Sequence, residues 1–364
     1  MQLLVLAAGV GKRIKPIVTS KPLLPFIGKT LLEWVVESAS MLKPSQTVIV
    51  VNPKDKAKVA KLLPKAKLVV QAKPTGMAGA VLATRSNLVG PTVVINGDDW
   101  IAAEITQQFS GQIKATPQQV VLTGIRSQPG YSGGFFDLQG PTLKVVEKPQ
   151  GKQPSQWAKV VLDYFPKIEK FVGALESIKS VTDDVYEQAL NQLDDISLVK
   201  AAGSFCQLKY PWQVLDLAQF LLTSQLKGKA LIDPTAKVFP GTYIINSYIG
   251  PKVIIGHNCL IRDSIIESGS VVGFNTEIAR SYVGPDNFFH SNYIGDSVIE
   301  SGSNFGAGAV LANFRFDHKP IGQTGRAKFG AVVGKGAQVG VNASVMPGVM
   351  IEAGAFIWPG AIKQ

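Results

Sequence analysis

A chain of 364 residues is longer than one hydrophobic core ordinarily serves, so its length predicts two domains. An apolar fraction of 46% with 17% charged residues excludes a disordered chain, and no apolar run approaches the roughly 18 residues a membrane span needs. The net charge of +11 arrives without a nucleic-acid motif or an aromatic stacking series, so no nucleic acid and no membrane is expected as a partner; a basic chain equally suits polyanionic small substrates, and the charge alone does not decide.

In chain order, Met1 to Leu6 is apolar but lacks a basic leader. It is broken at Gly9-Val10-Gly11-Lys12-Arg13, which reads as a first strand rather than a signal peptide. Strands are predicted at Leu3 to Leu6, Thr47 to Val51, Leu68 to Val70, Thr92 to Ile95 and Val120 to Thr123. Helical spacing covers Leu31 to Met41, Lys54 to Leu63, Ala78 to Leu88 and Trp212 to Leu222. The alternation predicts an α/β, Rossmann-like sheet with helices on both faces and ligands beyond the carboxyl ends of its strands. Lys54, Lys56, Lys58, Lys61, Lys65, Lys67 and Lys73 read as a solvated face. Cys206 and Cys259 have no metal-ligand spacing and suit a cytoplasmic protein with two free thiols.

After about Lys229 the period changes. Val333, Val339, Val345, Ile351 and Ile357 recur at every sixth residue, as do Ile249, Ile255 and Ile261, then Ile266, Val272 and Ile278, then Ile299, Phe305 and Leu311. A helix repeats at 3.6 and a strand at two, so neither produces this pattern. A hexapeptide period is the mark of a parallel β-helix, each aliphatic residue pointing into the prism. The predicted domains are therefore 1–228, an α/β domain, and 229–364, a left-handed parallel β-helix. Asn313 to Gly330 interrupts the rhythm and reads as a functional loop.

Small residues at Leu6-Ala7-Ala8-Gly9, then Gly11 and Lys12-Arg13, can bring backbone N–H groups and two cations to a phosphate. A glycine-containing turn after a strand serves plain chain reversal equally well. Its continuation through Ser20-Lys21-Pro22, Gln71, Gly76-Met77-Ala78-Gly79, Gly97-Asp98, Glu147-Lys148-Pro149 and Tyr210-Pro211-Trp212 resembles the sugar-1-phosphate nucleotidyltransferase family.

The resemblance implies phosphate contacts from Arg13 and Lys21 as the catalytic cations, with Leu6, Ala7, Ala8, Gly9, Gly11 and Lys12 around the nucleotide. It implies base contacts from Gln71, Gly76 and Met77, a Mg²⁺ on Asp98 and a sugar contact from Glu147. Two positions depart from the family pattern. Gln207 stands where a second metal carboxylate is expected, with Asp99 or Lys209 as substitutes. Trp157-Ala158-Lys159-Val160-Val161 stands where the sugar-binding Asn is expected.

His290-Ser291-Asn292-Tyr293-Ile294-Gly295-Asp296, followed by Asn304-Phe305-Gly306-Ala307-Gly308 and Asn313, resembles the acetyltransferase half of bifunctional GlmU-type enzymes, most closely their archaeal branch. That resemblance implies His290 as general base on a sugar amine, a task an imidazole suits near neutral pH. It places Tyr293, Asn304 and Arg262 on the sugar phosphate, and Ala307, Asn313 and Lys319 near acetyl-CoA. The lysine usual before the histidine falls at Ala279, leaving Arg280 to serve. The implied reaction makes UDP-N-acetylglucosamine from glucosamine-1-phosphate, acetyl-CoA and UTP, in a homotrimer. The alternatives are a nucleotidyltransferase for another sugar-1-phosphate with a structural β-helix, and a non-catalytic sugar-nucleotide binder.

Overall fold

A computed structural model describes residues 1–127, 131–179 and 184–364. The chain forms two compact units, Met1–Val10 with Leu32–Phe205, and Gly11–Leu31 with Cys206–Gln364. No helix among the described residues is long and apolar enough to cross a membrane.

The main sheet of the first unit has nine strands among the described residues: β1 (Gln2–Ala7), β2 (Gln46–Val51), β3 (Lys67–Val70), β4 (Thr92–Asn96), β5 (Val120–Arg126), β6 (Gly134–Asp137), β7 (Lys144–Glu147), β8 (Trp157–Phe165) and β9 (Ile196–Ala201). Its helices are α1 (Leu31–Ala39), α2 (Lys56–Leu62), α3 (Gly76–Ala83), α4 (Ala103–Ala115), α5 (Ile168–Ser177) and α6 (Val185–Leu190). The order is β7-β6-β8-β4-β1-β2-β3, with β5 joining β8 and β9.

β1 is parallel to both β2 and β4, with Leu4 opposite Val48 and Val94. Both of its faces are buried, which is why Leu3 to Leu6 is continuously apolar rather than alternating. Leu4 and Leu6 share a cluster with Val81, Phe165, Phe171 and Tyr186. Phe165 stacks on Phe171 at 4.4 Å.

The five predicted strands are present, each extended by one to three residues. The helix predicted to reach Leu88 stops at Ala83, because the Thr84 hydroxyl donates to the Val81 carbonyl at 2.6 Å and competes with the next turn. The lysine run from Lys54 to Lys73 is exposed, as a solvated face should be.

The second unit contains three sheets of seven parallel strands each, the architecture of a left-handed parallel β-helix. The sheets start at Leu231–Ile232, Lys237–Val238 and Tyr243–Ile245. Ile249 pairs with Ile266, Ile255 with Val272 and Ile261 with Ile278, and all six are buried in one cluster. The hexapeptide rhythm skips between these series because successive coils are offset by 17 or 16 residues: an offset of 16 includes a short corner at His290, and every one includes the short corner after the third sheet. Asn246, Asp263, Arg280 and Asp296 take positive φ at that corner. From Val333 onward the period of six runs unbroken. Helix α7 (Gln213–Leu226), longer than predicted, packs within this unit, where Arg326 pairs with Asp216.

Candidate functional site

The first group of predicted residues gathers at one edge of the α/β sheet. Leu6 and Ala7 end β1, Ala8 is buried behind them, and Gly9 is exposed. The Gly97 N–H donates to the Leu6 carbonyl at 2.9 Å, so the loop after β4, with half-buried Asp98, lies beside the loop after β1. Asp99 is buried and accepts from the Asn96 amide at 2.9 Å. Gln71 follows β3, its N–H donating to the Val51 carbonyl. Its side-chain amide donates to the Thr75 hydroxyl and the Gly76 carbonyl, both at 3.1 Å. Gln71 thus fixes the entry to α3, where Met77 is half-buried. Because β8 runs antiparallel to β4, its start lies past the carboxyl end of β4. There Glu147 ends β7 opposite Gly134: a Cβ built on Gly134 would lie 3.2 Å from Glu147 Oε2 and 3.3 Å from Lys159 Cβ.

Sequence reasoning missed the chemistry beside Glu147. Lys159 and Asp163 are both buried, and the lysine ammonium donates to the two carboxylate oxygens at 2.7 and 2.8 Å and to the Val160 carbonyl at 2.7 Å. The Tyr186 hydroxyl donates to Asp163 at 2.9 Å. Residues four apart in a regular strand stand about 13 Å apart, too far to pair. They meet because β8 bulges between Val160 and Tyr164 against β5. Burial pushes the Asp163 carboxyl above its usual range despite the ammonium. Glu187 on α6 is also buried, one carboxylate oxygen lacks a hydrogen bond, and burial followed by the charge of Glu147 raises it to about 7. Helix α6 is held to β7 by Asn191, whose side chain bonds the Val145 N–H and carbonyl at 2.7 and 2.9 Å.

The cationic segment belongs to the second unit. Gly11 sits at φ 63, a left-handed conformation that favours glycine, and starts the turn carrying exposed Lys12 and Arg13. A Cβ on Gly11 would stand 3.9 Å from Lys21 Cγ, so the half-buried Lys21 stem runs alongside it. Further along, the Gly28 N–H donates to Glu267 at 3.4 Å, and the Tyr282 hydroxyl donates to the Pro25 carbonyl at 2.9 Å.

Glu267 is buried and faces the hydroxyl-bearing rings of Tyr248 and Tyr282, and its burial raises it from 4.5 to about 7. The folded chain therefore holds this proton more tightly than the unfolded chain. The stability it contributes is fully present below pH 4.5 and is lost as pH rises through about 7. Glu267→Gln keeps an acceptor for Gly28 without a charge. It is expected to be about 1–3 kcal/mol more stable than the parent at pH 8 and equal to it near pH 4, as measured by urea midpoints.

The β-helix residues cluster about one corner. His290 is exposed just past Phe288–Phe289, and its backbone N–H donates to Asn292 Oδ1 at 2.6 Å. The Asn292 amide donates to the Gly306 and Ala309 carbonyls at 2.9 and 3.0 Å, tying that corner to the coil that bears exposed Ala307. Asn304, half-buried, stacks over Phe288 on the sheet before the corner. Tyr293 lies on the sheet after it, opposite Glu277. The two therefore flank His290 on different faces of the prism.

On Tyr293's sheet, Arg262 donates to Glu277 at 2.6 Å, and its buried Nε has no partner. Asn313 donates to Asp296, which also accepts from Arg280 Nε and Nη2, each at 2.7 Å. The Arg280 guanidinium, the group expected to stand in for the missing lysine, thus forms a bidentate pair with Asp296. Gly295 allows this arrangement: a Cβ there would lie 2.5 Å from Asn313 Nδ2 and 2.8 Å from the Tyr293 hydroxyl. Lys319 is exposed on the inserted loop, its N–H donating to Asp317 at 3.2 Å.

The chain is similar to known proteins along its whole length. Over essentially the full chain it is 27% identical to the bifunctional sugar-1-phosphate nucleotidylyltransferase/acetyltransferase of Sulfurisphaera tokodaii, covering 100% of this chain and 97% of that protein. It is 24% identical to the bifunctional protein GlmU of Methanocaldococcus jannaschii, covering 99% and 94%, and 27% identical to that of Methanococcus aeolicus, covering 98% and 93%. The profile of the MobA-like NTP transferase domain matches residues 3–190, the stretch that contains β1 to β8 and the loops at their carboxyl edge. With just over half its length matched in this way, the chain belongs to the MobA-like NTP transferase family.

Proposed function

We propose that the chain acetylates the amine of glucosamine-1-phosphate with acetyl-CoA and transfers a uridylyl group from UTP to the sugar-1-phosphate, giving UDP-N-acetylglucosamine and pyrophosphate. The observation that carries this reading is full-length similarity to a protein named bifunctional sugar-1-phosphate nucleotidylyltransferase/acetyltransferase and to one named bifunctional protein GlmU, in a chain with an α/β unit followed by a β-helix. In acetyl transfer, His290 takes the proton from the attacking amine, the thioester C–S bond breaks, and CoA leaves as its thiol. Tyr293, Asn304 and Arg262 hold the sugar phosphate, while Ala307, Asn313 and Lys319 lie toward acetyl-CoA.

In nucleotidyl transfer the sugar phosphate oxygen attacks the α-phosphate and the bond to pyrophosphate breaks. The nucleophile is already anionic, so catalysis is orientation and charge neutralisation by Arg13, Lys21 and Lys12 and by the backbone from Leu6 to Gly11. Gln71, Gly76 and Met77 read the base, and Glu147 reads the sugar. One half-buried carboxylate together with substrate phosphates is a donor set that suits Mg²⁺, so Asp98 fits as its protein ligand; the ion, when bound, would neutralise phosphate charge.

We further infer a cytoplasmic homotrimer, in which a neighbouring copy would cover the corner that Tyr293 and Asn304 flank. Phe274, Phe288, Phe356 and Trp358, exposed on this corner and its adjoining sheet, suit such a contact. A second reading, nucleotidyl transfer to a different sugar-1-phosphate, is favoured by the stretch Trp157 to Val161, which stands where a sugar-binding Asn is expected and whose Lys159 is taken up by Asp163.

A paired assay tests both. Pyrophosphate release is followed with several nucleotide and sugar-1-phosphate pairs, and thiol release with acetyl-CoA and glucosamine-1-phosphate. Both products with UTP and the glucosamine series are expected. Pyrophosphate only with another sugar would replace the first reading by the second.

A further inference from the structure

The segment from Gly11 to Leu31 carries Lys12, Arg13 and Lys21, yet it has little regular structure to hold them. Lys12–Ile14 and Lys21–Leu23 are single turns, and Pro25–Phe26 with Lys29–Thr30 forms a minimal hairpin. A stretch of this kind samples many backbone states unless tertiary bonds fix it. Those bonds come from the β-helix.

At the corner position that follows the first sheet, Gly250, Glu267, Gly284, Glu300 and Gly334 succeed one another from coil to coil. The two glutamates in this column are buried and receive the segment's backbone N–H groups. Glu300 takes the larger share. Its Oε1 accepts the Thr19 N–H at 2.8 Å and the Thr19 hydroxyl at 2.6 Å, and its Oε2 accepts the Val18 N–H and the Lys335 N–H, both at 3.0 Å. Val18 and Thr19 lie between Arg13 and Lys21 in the chain, so one carboxylate fixes the backbone linking the two cations.

We propose that Glu300 is a positioning residue for nucleotidyl transfer, holding the Arg13–Lys21 segment in the conformation that receives the triphosphate. This rests on the reading of Arg13 and Lys21 as phosphate ligands given above. The acyltransferase-type coil then has a duty in the other reaction, although Glu300 touches no substrate. All four groups on Glu300 are donors, and a glutamine amide nitrogen cannot accept. Glu300→Gln therefore loses one oxygen's pair of bonds whichever way the amide is turned.

The test uses the full chain with Glu300→Gln and, as a milder companion, Thr19→Val, which removes only the hydroxyl bond. If the competent conformation falls to a few per cent, apparent affinity falls by the same fraction. The KM for UTP in Glu300→Gln is then expected to rise about 10- to 100-fold while kcat at saturating UTP stays within about twofold. Thr19→Val should show a smaller rise in the same KM. Thiol release from acetyl-CoA should be unchanged in both variants, and amide exchange at Val18 and Thr19 should quicken.

An unchanged KM despite faster exchange, or exchange as slow as in the parent, would overturn the proposal. So would an equal fall in both activities, which is the mark of general destabilisation. A parent protein that releases no pyrophosphate from any pair would instead defeat the functional reading. UTP binding by calorimetry then replaces KM, and the exchange measurement still decides whether Glu300 holds the segment.

Discussion

Replacing His290 by alanine is expected to lower kcat for acetyl transfer by about 10²–10⁴-fold, the usual contribution of a positioned general base, with pyrophosphate release unaffected. The attacking amine must shed a proton as it bonds to the thioester carbon, and an alanine leaves no acceptor at that corner. The chain has three histidines. His257 occupies the same corner two coils away, at roughly 10 Å from the strand spacing, which is beyond the reach of a hydrogen bond. Because Asn292 fixes the corner through the backbone N–H of residue 290, a group alanine retains, the fold and the KM for acetyl-CoA should both survive. Thiol release by the variant at the parent rate would remove the base from its assigned role.

Lys159→Met is expected to destabilise the α/β unit by about 3–5 kcal/mol, because it strands a buried carboxylate rather than deleting a surface charge. Asp163 has no solvent exposure, and its remaining partner is the Tyr186 hydroxyl. Burial already raises the carboxyl with the ammonium in place, so without it Asp163 must take up a proton or force the strand open. Lys159→Met combined with Asp163→Leu removes both charges and should recover most of the loss, since an apolar pair of similar volume commonly replaces a buried ion pair without cost. Urea unfolding of the two variants separates these cases. A single mutant as stable as the parent would show that water reaches the pair.

The two domains' periodicities were legible for a simple reason. In the β-helix each inward position is buried on every coil, so burial writes an aliphatic residue at a regular interval, from Ile249 to Ile357. In the α/β half, β1, β2 and β4 were legible because both their faces are largely buried and their apolar runs are continuous, while β3, at the sheet's edge, is only half-buried. β8 was hidden: although it is buried along most of its length, Lys159 and Asp163 break the apolar run, and nothing local announces that a bulge will pair them. The site residues fared similarly. His290 with Tyr293 and Asn304 could be found by resemblance, but their division between two faces could not.

The sequence by itself determined the order of an α/β unit before a coil of parallel strands, because the repeat distances of buried side chains are properties of local geometry. It also carried the loops that bear Gly9, Asp98 and Glu147, since turn chemistry follows immediately after each strand. Only the tertiary structure decided that Glu267 and Glu300, polar residues at ordinary corner positions, bind backbone more than 200 residues earlier in the chain. Such pairings depend on which unsatisfied N–H groups arrive opposite a buried carboxylate, and no spacing along the chain encodes that meeting.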